Sequence, residues 1–266
     1  MIQTLVGLVV QMAVLSGPGA VDDAMTAERL ERMLAAGDKS MVVQTFRRHP
    51  TEVLPFIDGY LEGGLAMIEQ GKDADEAMAS FRRGIAFAEL ADTAFSEAIF
   101  VEYSAGFASW SPTEQRLFRE GQKAYRDGRQ ATDPAVAVPL LQRSYDLAEQ
   151  LGDSWGMAMA SERLAAGLAA LGRSEEAGKV VAKAIELNSR LQLRDQHVRS
   201  LVLCGDIRRD MKTPDGGVGH YRLAWQLLPS TADAAWRRKV LQSYVAAVER
   251  SNPGEAERLR KENAEL

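Results

Sequence analysis

Three histidines, one cysteine and one glycine-rich turn are the groups in this chain that chemistry would draw on first. His49, His197 and His220 lie far apart, with no second histidine at metal-ligand spacing, and a metal or acid–base site needs two or more converging groups. Each reads as a surface or capping residue. Cys204 has no partner with which to form an internal disulfide and reads as a small buried hydrophobe. The run Gly216-Gly217-Val218-Gly219 follows Pro214-Asp215 and opens a helix, where free backbone N–H groups could meet an anion. It lacks the preceding strand and the Lys-Ser/Thr pair of a phosphate loop, so the glycines are read as close-packing positions. A glycine inside a helix costs about 1 kcal/mol, which predicts that this helix is the weakest in its array. No catalytic, metal or cofactor-binding residue is assigned, and the expectation is a protein that is not an enzyme.

The elements that position these groups announce themselves by repetition. Ala137, Leu141, Ser144 and Leu147 recur 40 residues on as Ala177, Val181, Ala184 and Leu187, and again as Gly217, Tyr221, Ala224 and Leu227. A fourth copy lies upstream at Ala77, Phe81, Gly84 and Phe87. Steps of four, three and three return to one helix face, so each set is a stripe that alternates small and large positions. Small positions let a neighbouring helix approach closely. A unit of this size buries little alone and gains stability by stacking on its neighbours, which predicts a solenoid.

This pattern resembles the second helix of the tetratricopeptide family. Leu164 and Ala165 stand where the first helix of that family has Leu-Gly, Gly172 closes that helix before Arg173-Ser174-Glu175-Glu176-Ala177, and Cys204-Gly205 restores the family glycine. The 40-residue offset exceeds the usual ~34 and is similar to the long-repeat branch, as in kinesin light chains and the bacterial arrays ahead of CHAT peptidase domains. The resemblance covers residues 52 to 266 and is strongest over 113–229. The family tryptophan at the start of the first helix is missing, and Pro229 alone stands near the place of the late prolines.

The resemblance implies an all-α, right-handed superhelix of helical hairpins that acts as a non-enzymatic scaffold for a protein or peptide. The alternative it implies is a stand-alone regulatory or recruiting module for a CHAT-type peptidase or other enzyme encoded elsewhere. It places the first helix of each pair on the concave side. That puts Arg119, Gln122 and Arg126 there from one repeat, Glu162, Arg163 and Ala166 from the next, and Arg199, Asp206 and Arg209 from a third. Arginines from successive repeats would suit an acidic or carboxylate-ended partner through two-pronged guanidinium contacts. The Lys and Asn of the family's carboxylate clamp are absent, and Asp206 and Arg209 are spaced to pair with each other.

Composition agrees with helix. Of 266 residues 46% are hydrophobic, Ala, Leu, Arg and Glu dominate, and runs of alternating β-branched residues are absent. The net charge of -5 is uneven: residues 1–153 hold 14 basic and 23 acidic side chains, and residues 154–266 hold 18 and 14. Because acids interrupt the basic residues throughout, no stripe suited to nucleic acid forms.

Residues 1–20 carry no charge, and Leu5 to Leu15 is apolar apart from Gln11, a run too short to span a bilayer. With Ser16-Gly17-Pro18-Gly19-Ala20 behind it, the segment reads as an export signal lacking the usual basic start, or as an apolar amino-terminal helix. The balance favours an exported, periplasmic or secreted, protein over a cytoplasmic one. Residues 21–50 then read as a cap with helices over Thr26–Leu34 and Lys39–Phe46, and 51–266 as the array. Its helices are expected over Thr51–Gln70 and Asp73–Leu90, an unpaired one over Thr93–Ala108, and one from Thr113 to a loop over Gly128–Pro134. Pairs then follow at Ser154–Leu171 with Ser174–Leu193, Gln196–Met211 with Asp215–Leu228, and Ala232–Arg250 with Pro253–Leu266. The closing stretch from Glu255 is polar nearly all round, as a capping helix is.

Overall fold

The computed structural model describes residues 24–213, 215–229, 232–249 and 251–265. Among them the chain forms thirteen helices and no strand: α1 (Ala27–Ala35), α2 (Lys39–Arg48), α3 (Pro50–Glu69), α4 (Ala74–Phe95), α5 (Ile99–Ser109), α6 (Pro112–Gln130), α7 (Pro134–Leu151), α8 (Ser154–Ala170), α9 (Ser174–Arg190), α10 (Arg194–Asp210), α11 (Val218–Leu227), α12 (Ala234–Val248) and α13 (Pro253–Glu262). α3 packs on α4 and α4 on α5, each helix from α6 onward packs on the next, and the connections between α6 and α10 are only two or three residues long. Links that short turn each helix back against its predecessor. The first helices of successive pairs also touch: α6 packs on α8, α8 on α10 and α10 on α12. No helix among the described residues is long and apolar enough to cross a membrane. The expected export signal or apolar helix of residues 1–20 lies outside the described residues.

The repeat is more finely divided than its 40-residue offset suggests. Gly152, Gly172, Gln192 and Lys212 all take the left-handed conformation, at φ 68, 74, 60 and 55. After each, the next N–H closes on the carbonyl five residues back: Asp153 on Ala148 at 2.8 Å, Arg173 on Leu168 at 2.9 Å, Leu193 on Asn188 at 2.9 Å and Thr213 on Arg208 at 3.1 Å. This Schellman closure satisfies the last carbonyls of a helix. Recurring every 20 residues, it cuts α7 to α10 to nearly equal lengths and makes each repeat two helical halves.

The predicted stripes are buried except at Leu227, which is half-buried. Ala77, Ala177, Val181, Ala184, Tyr221 and Ala224 have no exposed surface, and Leu141, Leu147 and Leu187 almost none. A Cβ on Gly84 would meet Leu61 Cδ2 at 3.0 Å, so this small position sets the close approach of α4 to α3.

Several expectations are corrected. The stretch Thr93–Ala108 is not one helix, because Thr93 to Phe95 finish α4, Ser96 turns left-handed at φ 57, and α5 begins at Ile99. Asp92 sets that start by accepting the N–H groups of Phe100 and Val101, each at 3.0 Å. The helix α5 packs on α4, α3 and α8. Gly217 is not a helical glycine but the residue before α11, at φ 77, where a Cβ would lie 2.7 Å from the Cα of Gly205. Gly205 in turn lies against the Tyr221 ring. These glycines therefore allow two backbones to cross, and the helix they precede holds one glycine, Gly219. The closing helix α13 buries its Ala256 and Leu259 against α12.

Candidate functional site

Where α5 folds over α3 and α8, a partly open cavity of about 200 Å³ remains between α3, α5, α6, α7 and the start of α8. Leu147, Leu151 and Ala148 of α7 form its apolar floor, and Tyr103, Phe118, Tyr125 and Trp155 contribute aromatic surface. Its ionisable side chains other than the two tyrosines are all acidic: Asp58 and Glu62, one turn apart on α3, and Asp153 at the head of α8.

Asp58 is surrounded by protein, yet keeps some accessible surface, and that surface faces the cavity. The Tyr103 hydroxyl of α5 donates a hydrogen bond to its Oδ1, and no described group bonds its other oxygen. Burial pushes the Asp58 carboxyl up to about 8; the Tyr103 hydrogen bond opposes the shift, and Glu62 and Asp153 add to it. Asp153 is 4% exposed and caps α8 by accepting the Gly156 N–H at 2.7 Å. Burial raises it to about 6, held back by the N–H groups of Gly156 and Trp155.

The residues that shape this corner have a further pattern which sequence reasoning missed. Gly152-Asp153-Ser154-Trp155-Gly156 spells Gly-x-Ser-x-Gly, the lettering of a hydrolase nucleophile elbow, which requires a strand, a sharp turn and a helix. Here it joins two helices, and no histidine nitrogen hydrogen-bonds Ser154 among the described residues. The spacing serves the turn instead. Gly152 is left-handed, Asp153 is the cap, and a side chain at Gly156 would collide with the Asp153 carboxylate.

The arginine positions read from the repeat frame do not form one group. Arg119 donates to Glu62 at 2.7 Å, to Glu69 at 2.7 Å and to Gln122 at 2.8 Å. Gln122 donates to Glu62 at 2.6 Å. Both therefore stand at the cavity rim and tie α6 to α3. Arg209 pairs with Asp206 at 2.8 Å, and both bond the hydroxyl of Tyr221, at 2.9 and 2.7 Å. Arg126, Arg163 and Arg199 are exposed. Arg163 of α8 and Arg199 of α10 lie near Glu162, whose carboxyl is raised by burial and lowered by both guanidinium groups.

His49, His197 and His220 stay apart, and among the described residues no group of His, Cys, Asp and Glu is placed to hold a metal ion. Cys204 is buried, and burial pushes its thiol up, away from a nucleophile's range. Chemically, the cavity can accept hydrogen bonds, hold a positive charge and exchange a proton near neutrality.

Asp58, Tyr103 and Asp153 carried no signal of a shared site in sequence. The one usable clue was local, an Asp before a helix whose third residue is glycine. Compared with protein-family models and with curated proteins, the chain finds no match.

Proposed function

We propose that the chain is a tetratricopeptide-like, right-handed helical-hairpin array that acts as a non-enzymatic binding module and holds a protein or peptide on the face of α6, α8 and α10. The observation that carries this reading is the side-by-side packing of those helices, because it offers a partner side chains from successive repeats on one surface. The cavity beside Gln122 and Met159 supports it, as it supplies a recess at one end of that face. Exposed Arg163 and Arg199 supply positive charge on two adjacent helices, which favours encounter with carboxylates on the partner.

The test is charge reversal. Arg163→Glu with Arg199→Glu should abolish partner recovery after crosslinking in the native cell, while helicity and melting temperature hold, as expected for exposed residues. Lys179→Glu with Lys183→Glu on α9 is the control. Equal loss in both pairs, or no loss in either, removes the α8–α10 face as the binding surface.

A further inference from the structure

The cavity has a chemistry of its own, and the inference drawn from it rests on the binding-module reading in naming what that module grips. We infer that the cavity is a receptor for an organic cation, an ammonium or guanidinium group on an aliphatic stem, with Asp58 as its counter-ion.

Size comes first. At about 200 Å³ the space holds the volume of roughly six or seven water molecules and falls below the ~300 Å³ at which pockets for drug-sized ligands begin. A single long side chain or a small amine fits that space.

Charge comes next. Asp58, Glu62 and Asp153 line the space, and no Lys, Arg or His does. The nearest guanidinium, that of Arg119, is already bonded to Glu62 and Glu69. An anion would stand beside the Glu62 and Asp153 carboxylates with no cationic side chain in the lining to pair it. A bare metal ion is disfavoured by geometry, because these carboxyls do not converge into a metal-binding group. An organic cation needs no such convergence. It asks for an acceptor at its head, apolar wall along its stem and ring faces nearby, and Leu147, Phe118, Tyr125 and Trp155 supply the latter two.

The unpartnered oxygen of Asp58 singles out the head-group position. It belongs to a half-buried side chain, takes no hydrogen bond from any described group, and faces the cavity. That oxygen is reached from the cavity, so an incoming donor can bond it without displacing a protein group.

The groups that face Asp58 are Glu62 on its own helix, Tyr103 of α5, Arg119 of α6 and Asp153 at the head of α8. Burial leaves the Asp58 carboxyl protonated at neutral pH. When the cation enters, the carboxyl gives its proton to solvent and keeps the ligand's positive charge in exchange. Binding thus releases close to one proton below about pH 8, and affinity rises with pH towards that value.

The experiment uses the full chain and two probes in NMR and calorimetric titration. One is Nα-acetyl-lysine methylamide, which presents the side chain as a partner protein would. The other is cadaverine, a free diamine. The reference is the norleucine analogue of the first, which keeps the stem and lacks the ammonium.

Either cation should bind at least about tenfold tighter than the reference, because a charge-assisted hydrogen bond is gained only with the ammonium. Affinity should rise between about pH 6 and pH 8, and calorimetry in two buffers should show proton release. Asp58→Asn should lose the preference for the cation while keeping helicity, with a melting temperature no lower than that of the parent. A tighter lysine derivative assigns the cation to a partner's side chain, and a tighter diamine assigns it to a small molecule. Equal affinity of lysine and norleucine analogues, absence of binding by both cations, or an unchanged Asp58→Asn variant overturns the inference.

The two readings fail separately. Loss of partner recovery in the arginine reversals with no binding of either amine ends the cation site alone. Amine binding with partner recovery indifferent to both reversal pairs ends the proposed face alone.

Discussion

Asp58→Asn should stabilise the ligand-free protein, and the gain should grow with pH. The ordinary value for this carboxyl is 3.8, and the fold holds it at about 8. Each pKa unit corresponds to about 1.36 kcal/mol. At pH 7 the unfolded chain carries Asp58 ionised and the folded chain carries it protonated, so folding must take up a proton, at a cost of about 4 kcal/mol. Water admitted by the cavity screens part of this, leaving ~2 to 4 kcal/mol for the substitution to recover.

The sign follows from a raised folded value. Stability from this group is fully present below about pH 4 and is lost as pH rises towards 8. The amide keeps an oxygen to accept the Tyr103 hydroxyl, and its new N–H group meets a cavity lined by Glu62 and Asp153. Urea unfolding at about pH 5, 7 and 8.5 reads the difference directly, and the advantage of the variant should widen by about 2 kcal/mol or more across that range. A variant less stable than the parent at the highest pH, or a difference that stays flat, refutes the account of Asp58 as a carboxyl held neutral by burial.

Three further outcomes test the packing. Gly217→Ala should destabilise by ~1 to 3 kcal/mol in thermal or urea unfolding, because the left-handed backbone and the Gly205 main chain both oppose a methyl group. Ala177→Leu should cost about 1 to 3 kcal/mol, since the residue has no exposed surface and the added carbons have no space to enter, and an unchanged midpoint would mean that this face is loosely packed. Gln192→Gly and Lys212→Gly should each stabilise by about 0.5 to 1 kcal/mol by relieving a side chain in the left-handed conformation, and a loss in both would show that their side chains carry the turns.

What the chain determined by local order is its helices and the faces they bury. The steps of four, three and three from Ala177 to Leu187 lie within one element, so the 3.6-residue period alone puts those side chains on one side. Helix ends follow local sequence where a residue acts on its own neighbours, as Ser111 does in capping α6 together with Glu114. They were not legible where the turn is imposed. Gly152 and Gly172 could be expected to turn left-handed, whereas Gln192 and Lys212 do so against their own preference because the helices on either side hold them there.

The arginines of the repeat frame lie on α6, α8 and α10, but what each one meets depends on elements far away in sequence. Arg119 finds Glu62 and Glu69 some fifty residues upstream, and Arg209 finds the hydroxyl of Tyr221. The cavity is wholly a product of tertiary structure. Tyr103 stands 45 residues from Asp58, and each is an ordinary residue in its own helix until α5 folds across α3 and α8. Only then does Asp58 lose water on all sides but one, and a surface carboxylate becomes a proton-holding group that faces an empty space.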